Sequence, residues 1–387
     1  MISSRKEVPI PRAADAAGVV SWAHFGDLHI TDRQQNNYHD LQKLVDEVNA
    51  CMSDSITFVY LPGDNADHGS AEEYELVREA MDCLVVPWYA IVGDHDVHAR
   101  SLANFTDYLM PEAVFAFEVS SYRFLALNAF ESKDPRVFDL SDNQLNRLEQ
   151  QLAETRRQHK RAVLLLHCYP SDLGRIASRL RDLIRECKVL LVDMGHTHYN
   201  QIAHDGHAIY TATRSTGQVE EGPVGFSVTN LDRGVVSWCS KPINNWPFVM
   251  ITTPADHRLI SDPTSGDQVV RGVISVRAKA WSDQPITNCT LHFAGEETAM
   301  RPLTDSRVWT ADLDTAALPD GTRLMKVVCQ DASNQTSSDV LRVCLNQSGH
   351  FVEPSRKPRD QDNAITPWIE RGILGTQLGP NKNGRKW

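Results

Sequence analysis

The chain has 387 residues, 41% hydrophobic and 23% charged, which is the composition of a globular protein too long for one core, so two domains are expected. Its net charge of −11, from 39 basic and 50 acidic residues, repels nucleic acid and argues against a nuclease. No apolar run approaches the about 20 residues of a membrane helix, the start MISSRKEVPIPRAADAAGVV lacks the apolar centre of a secretory leader, and the 8 scattered cysteines suit reduced thiols, so a cytoplasmic protein without membrane contact is expected.

After an N-terminal extension over 1–18, apolar strand-like runs alternate with helical spacing. VVSWAHF precedes a helix expected over Tyr38 to Met52, and ITFVYLP precedes one over Ala71 to Leu84. VVPWYAIV is followed by FAFEVSSYRFLALNAF, which reads as an antiparallel hairpin between Val114 and Phe130. Ser141 and Gln144 form a capping-box pattern at the start of another helix, and Leu173 to Cys187 supplies a further one after AVLLL. KVLLVDM and a second set of hairpins over Tyr199 to Ser240 complete a mixed α/β unit at 19–240. The proline-bearing stretch 241–247 reads as a linker. From 248 to 346 short alternating strands recur without helices, the pattern of an immunoglobulin-like β-sandwich, with Cys289 and Cys329 expected inside it as buried thiols. The tail 347–387 has the composition of a disordered segment, yet Ile365, Trp368, Ile369, Ile373, Leu374 and Trp387 are apolar enough for part of it to dock on the 19–240 unit or on a neighbouring subunit.

Five polar motifs each fall where one of the apolar runs ends: Asp27-Leu28-His29, Gly63-Asp64-Asn65, Gly93-Asp94-His95-Asp96, His167 and Gly195-His196-Thr197-His198. In an open α/β sheet the carboxyl ends of the strands gather side chains at one edge, so these imidazoles and carboxylates are expected to converge on a metal cradle. Alone, a D-x-H or G-D-N is usually a turn; five in order, each after a strand, are not. Most other histidines read as surface or packed residues, His350 among them, and Cys168 as a buried inert thiol. His68 and His98 follow ligand motifs by a few residues and are candidates for substrate contact.

The succession of motifs resembles that of the calcineurin-like metallophosphoesterases over roughly residues 19 to 240, with spacings of 37, 30, 73 and 29 between Asp27, Asp64, Asp94, His167 and His196. It looks most like the bacterial branch of cyclic-nucleotide phosphodiesterases and glycerophosphodiesterases; the protein Ser/Thr phosphatases fit less well, because they carry an arginine where this chain has His68. The resemblance implies a four-layer αββα sandwich and two divalent cations. It makes Asp27, His29 and His198 ligands of one cation, Asp94, His167 and His196 ligands of the other, and Asp64 a bridge. A hydroxide shared by two cations about 3.5–4 Å apart would attack phosphorus. His95 would protonate the leaving oxygen, and Asp96 beside it could orient that imidazole.

Without cysteine among the ligands, oxygen and nitrogen donors favour Mn, Fe or Zn. One departure is Asp94, where the family has asparagine: an extra anion that should hold its cation tightly and weaken it as a Lewis acid. The expected activity is hydrolysis of a small phosphodiester, with a phosphomonoesterase or a catalytically weakened metal-binding scaffold as alternatives. Self-association into a homo-oligomer is left open.

Overall fold

A computed structural model describes residues 7–218, 221–349 and 351–374. The first two-thirds of the chain forms two mixed sheets. One has the order β11-β10-β1-β2-β3, from Val20–His24 (β1), Phe58–Leu61 (β2), Trp88–Ala90 (β3), Gly225–Asp232 (β10) and Val235–Pro242 (β11). The other has the order β4-β5-β6-β7-β9-β8, from Ala116–Val119 (β4), Tyr122–Ala126 (β5), Arg161–Leu165 (β6), Leu191–Met194 (β7), Gln201–His204 (β8) and Ile209–Ala212 (β9). The expected hairpins at 114–130 and 199–240 are present as β4–β5, β8–β9 and β10–β11.

The two sheets face each other. Trp22 on β1 stacks on Phe58 at 5.6 Å and meets Phe124 of the other sheet edge-on at 5.4 Å, while its indole N–H donates to Asp193 on β7. With the inner faces filled in this way, the helices that join the parallel strands have only the outer faces to cover. These are Asn36–Cys51 (α1), Ala71–Met81 (α2), Ala103–Tyr108 (α3), Asp142–Arg157 (α4) and Ala177–Glu186 (α5).

Caps decide two of the helix starts. Ser70 and Glu73 form a reciprocal capping box on α2. Ser141 caps α4 through the Gln144 N–H, but the Gln144 side chain does not close the expected box; it pairs with the Asn128 backbone at 2.9 and 3.0 Å. The helix expected from Leu173 begins only at Ala177, after a 3-10 turn at Pro170–Asp172.

The remaining strands are Phe248–Thr253 (β12), Val269–Val270 (β13), Val273–Trp281 (β14), Ile286–Phe293 (β15), Glu296–Ala299 (β16), Arg301–Pro302 (β17), Val308–Asp314 (β18), Gly321–Asp331 (β19) and Thr336–Leu345 (β20). They form the sheets β12-β14-β18-β17 and β13-β20-β19-β15-β16, which close on a second core that includes Val276, Leu291, Val327 and Val343. Cys289 and Cys329 lie opposite one another on β15 and β19, both buried as free thiols.

The expected linker is not a free segment. Ser240–Pro242 are the end of β11, and the fully buried Lys241 pairs with Glu47 at 2.9 Å and lies 3.7 Å from the Trp246 ring centroid. The next strand belongs to both cores. On β12, Phe248 and Met250 point into the first core while Val249 and Ile251 point into the second, so the two-residue alternation of one strand welds two packing units. A buried polar seam adds to this weld: Lys279 on β14 reaches Asp15 at 2.8 Å, Ser21 Oγ at 2.9 Å and the Ser55 carbonyl at 2.7 Å.

Part of the tail docks. Ile365, Trp368 and Ile373 join the first core, whereas Ile369 and Leu374 stay exposed. Trp387 and His350 lie outside the described residues.

Candidate metal centre

Each motif sits immediately beyond the carboxyl end of a parallel strand. Asp27 and His29 follow β1, Asp64 follows β2, Asp94 and His95 follow β3, His167 follows β6, and His196 and His198 follow β7. The turns that carry them are tight. His29, Asp64, His196 and His198 have φ of 44°, 51°, 66° and 60°, the left-handed region that side-chain-bearing residues normally avoid. The motif glycines are there for space. A Cβ on Gly93 would sit 2.1 Å from Asp64 Oδ1, and one on Gly195 would sit 2.2 Å from Asp27 Oδ1, so a neighbouring motif's carboxylate occupies each place.

The seven side chains converge as two groups of four that share Asp64: Asp27, His29, Asp64 and His198, and Asp64, Asp94, His167 and His196. In the first, His29 Nε2 and His198 Nε2 are 3.1 Å apart, and His198 Nε2 is 3.5 Å from Asp27 Oδ2. In the second, Asp94 Oδ1 lies 3.1 Å from His167 Nε2 and 3.4 Å from His196 Nδ1. Asp64 Oδ2 lies 3.6 Å from His29 Nε2 and also 3.6 Å from His167 Nε2, between the two groups.

This donor set fits two divalent cations. The imidazoles of His29, His167, His196 and His198 and the carboxylates of Asp27, Asp64 and Asp94 point at shared, largely buried space, and Asp27 Oδ1 has no hydrogen-bond partner there. Burial, together with the charges of Asp94, Asp27 and Asp96, pushes the Asp64 carboxyl well above its ordinary range despite the opposing pull of His167. A buried carboxylate in that position calls for positive charge.

Outer contacts fix the rings. His167 Nδ1–H donates to the Pro62 carbonyl at 2.8 Å, leaving Nε2 to face the centre. His29 Nδ1 is 3.1 Å from Asp67 Oδ1, so Asp67 orients that imidazole as an outer carboxylate.

The role expected of Asp96 falls to Asp67. Asp96 is adjacent to His95 in sequence, but its buried carboxylate turns away and accepts from the backbone N–H groups of Asn65 (3.1 Å) and Gly93 (2.8 Å) and from the Tyr74 hydroxyl (2.8 Å). It holds the Asp64 turn in shape. His95 instead donates its Nδ1–H to the Asp67 carbonyl at 2.8 Å, with Asp67 Oδ1 at 3.5 Å, and its ring lies edge-on to that of His29 at 4.6 Å. The acidic residue three places after Asp64 was the available signal for Asp67. Gln218, whose Nε2 is 3.3 Å from His29 Nδ1, had none. His68 and His98 are exposed at the rim; His68 pairs with Glu73 at 2.9 Å, and His98 donates to the His68 carbonyl at 2.8 Å.

Protonation bears on cation uptake. Burial and the neighbouring imidazoles hold His198 down at about 4 against the pull of Asp27, so it is a neutral donor at pH 7. Burial also disfavours charge on His167, but Asp64, Asp94 and Asp27 outweigh it and raise the imidazole to about 10. An imidazolium cannot ligate, so at pH 7 loading the second group should release about one proton. Apparent affinity there should rise about tenfold per pH unit up to pH ~10 and fall as the solution is acidified. Calorimetry of Mn²⁺ binding at pH 7 in buffers of different ionisation enthalpy measures this, and a buffer-independent heat would contradict it.

Residues 21–200, which contain all seven converging side chains, match the family model described as calcineurin-like phosphoesterase. A curated relative, the probable glycerophosphodiester phosphodiesterase GpdQ of Arcobacter nitrofigilis, is 30% identical over 155 residues, covering 36% of this chain and 56% of its own. The chain thus spans about half the length of that relative. Among solved structures, a dimetal phosphatase from Danio rerio is similar at 14% identity and a TM-score of 0.47, covering 58% of this chain and 96% of its own. The purple acid phosphatase PPD1 of yellow lupin is similar at 12% identity and a TM-score of 0.47, covering 62% and 53%. The region 21–200, which holds the whole Asp/His cluster, is thus the part of this chain that is similar to the calcineurin-like phosphoesterases.

Proposed function

We propose that the protein hydrolyses a small phosphodiester using two divalent cations drawn from Mn, Fe or Zn. The observation that carries this reading is the place of Asp64 Oδ2, equidistant from His29 Nε2 and His167 Nε2 and shared by both ligand groups. Asp27, His29 and His198 would hold one cation and Asp94, His167 and His196 the other, with Asp64 common to both. Two such cations supply a water-derived nucleophile at neutral pH and neutralise charge on the phosphoryl oxygens.

The other side chains have separate roles. His95, anchored through Nδ1–H to the Asp67 carbonyl, keeps Nε2 for a proton destined for the leaving oxygen. The Asp67 carboxylate lies 3.5 Å from the same ring. Asp96 shapes the Asp64 turn, and His68 and His98 form the polar rim. The C-terminal β domain is read as an immunoglobulin-like sandwich without chemistry of its own, since among the described residues the Asp/His groups lie outside it. Eight free thiols support placing the protein in a reducing compartment.

The diester preference rests on charge. Asp27, Asp64 and Asp94 surround the reacting position, and a monoester brings nearly two negative charges where a diester brings one. The similarity to a probable glycerophosphodiester phosphodiesterase supports the same choice. Comparing kcat/KM for a bis(aryl) phosphate and an aryl phosphate at one Mn²⁺ concentration should show the diester ahead by at least about tenfold, or ~1.4 kcal/mol in activation free energy. Preference for the monoester would overturn the diesterase reading, and no turnover of either would leave a binding scaffold.

A further inference from the structure

The tail crosses back over the catalytic domain at Trp368–Ile373 as a closed turn, with Trp368 N–H donating to the Ile373 carbonyl at 3.0 Å and Ile373 N–H to the Trp368 carbonyl at 3.1 Å. Inside it, Arg371 is 2% exposed and donates through Nη2 to Asp339 Oδ2 on β20 at 2.8 Å. The same oxygen of Asp339 accepts from the Ile251 N–H on β12 at 2.7 Å. Arg258 of the β domain lies 3.5 Å from the Trp368 ring centroid, and Cys239 Sγ on β11 is 3.6 Å from the Glu370 carbonyl. The turn is therefore clamped by both packing units at once.

Its next residue faces the ligand loops. Gly372 has φ of +80°, and a Cβ there would come within 2.7 Å of Ser240, so the backbone approaches more closely than any side chain would allow. That approach lets the Gly372 carbonyl accept from Asn200 Nδ2 at 3.1 Å and from Arg214 Nη2 at 3.2 Å. Asn200, two residues after His198, returns a bond through Oδ1 to the Arg214 N–H at 2.9 Å. The loop that Arg214 opens then touches Asp27, His29 and His198 of the first group. Ser215 N–H donates to the His198 carbonyl at 3.4 Å, Ser215 Oγ and the Gly217 N–H donate to the Asp27 carbonyl at 2.7 and 3.1 Å, and Gln218 Nε2 is 3.3 Å from His29 Nδ1.

We propose that this turn, through Gly372, Asn200 and Arg214, is a positioning element of the first cation site, and that the buried Arg371–Asp339 pair makes this site depend on the C-terminal β domain. The proposal rests on the two-cation reading above. The tail and the β domain thereby hold the 214–218 loop against Asp27, His29 and His198, whereas Asp94 and His167 of the other group are carried on the turns after β3 and β6, and His196 alone shares the turn after β7 with His198. Outer partners of ligands commonly affect metal affinity by about 10- to 100-fold, and that is the effect expected here on one site only.

The test uses the full chain and Co²⁺ as probe, following two-step uptake by absorption and calorimetry, with His29→Ala marking which step is the first group. Asn200→Ala should weaken that step by about 10- to 100-fold and change the other less than about twofold, with a cation-free melting midpoint only a few degrees lower. Arg371→Met should give the same one-sided loss, larger if the whole turn lifts. If Arg371→Met does not fold, Asn200→Ala alone decides. Unchanged uptake in Asn200→Ala, or equal weakening of both steps, overturns the positioning role while leaving the two-cation reading intact. A wild-type protein that takes up fewer than two cations overturns that reading, and this proposal with it.

Discussion

Asp64→Asn should lower kcat/KM for a diester on the order of 10³-fold, about 4 kcal/mol in activation free energy, and reduce bound cation from two equivalents to one. The substitution keeps the shape of the side chain and removes the anion that lies 3.6 Å from both His29 Nε2 and His167 Nε2. Without it, two cations would face each other across a neutral amide, and the more weakly held one leaves. Stability should move the other way. Because the Asp64 carboxyl is raised by burial and by its carboxylate neighbours, its anionic form disfavours the folded state. Whatever stability the protonated carboxyl contributes is present at low pH and is lost as pH rises through the folded value. At a pH above that value cation-free Asp64→Asn should therefore melt higher than cation-free wild type, and Mn²⁺ should raise its midpoint less. Metal analysis and melting curves with and without Mn²⁺ measure both; a variant that keeps two equivalents would remove Asp64 from its bridging place.

The converging side chains were legible because each lies within a few residues of a buried strand's end, where chain order and spatial order coincide. The glycines beside them repeat the same information, since Gly93 and Gly195 leave room for the carboxylates of Asp64 and Asp27. Adjacency in sequence misled at Asp96. The turn after β3 tightens, with Asp96 N–H donating to the Gly93 carbonyl at 3.3 Å, and this sends the Asp96 side chain inward to unpaired backbone N–H groups and away from His95. Asp67 could take over because the turn after β2 brings it under two rings at once, a relation between separate strands that local periodicity does not carry. The linker reading failed for the same kind of reason. Pro242 and the polar residues after it look like a linker, yet Lys241 is buried against Glu47 and β12 serves two cores; the first fact depends on a partner 194 residues away and the second on alternation within one short strand. The docked tail was visible as an excess of apolar residues, and the 19–240 unit was one of the two places expected for it; the partners Asp339 and Arg258 that fix it there, far away in sequence, were not visible.

His95→Gln should lower kcat by about 10²- to 10⁴-fold on a diester with an alkyl leaving group, with both cations retained. Glutamine preserves a polar side chain of similar reach but cannot deliver a proton, so the loss should depend on how badly the departing oxygen needs one. A nitrophenoxide leaves as a stable anion, and on that substrate the same variant should lose less than about tenfold. The ring that His95 presents is held by the Asp67 carbonyl at 2.8 Å and faced by the Asp67 carboxylate, which also steadies His29. Asp67→Asn should consequently combine two effects of which His95→Gln shows only the first: a loss that is larger on the alkyl than on the nitrophenyl diester, and a weakening of the first cation site by about 10- to 100-fold. The measurement is kcat for the alkyl and nitrophenyl diesters at saturating Mn²⁺, alongside cation titration of each variant. Equal losses of His95→Gln on both substrates would mean that the imidazole positions the phosphoryl group and does not protonate the leaving oxygen. Loss of a cation from His95→Gln would mean that this ring belongs to the ligand set, through the His29, Asp67 and His95 group that its contacts with Asp67 make possible.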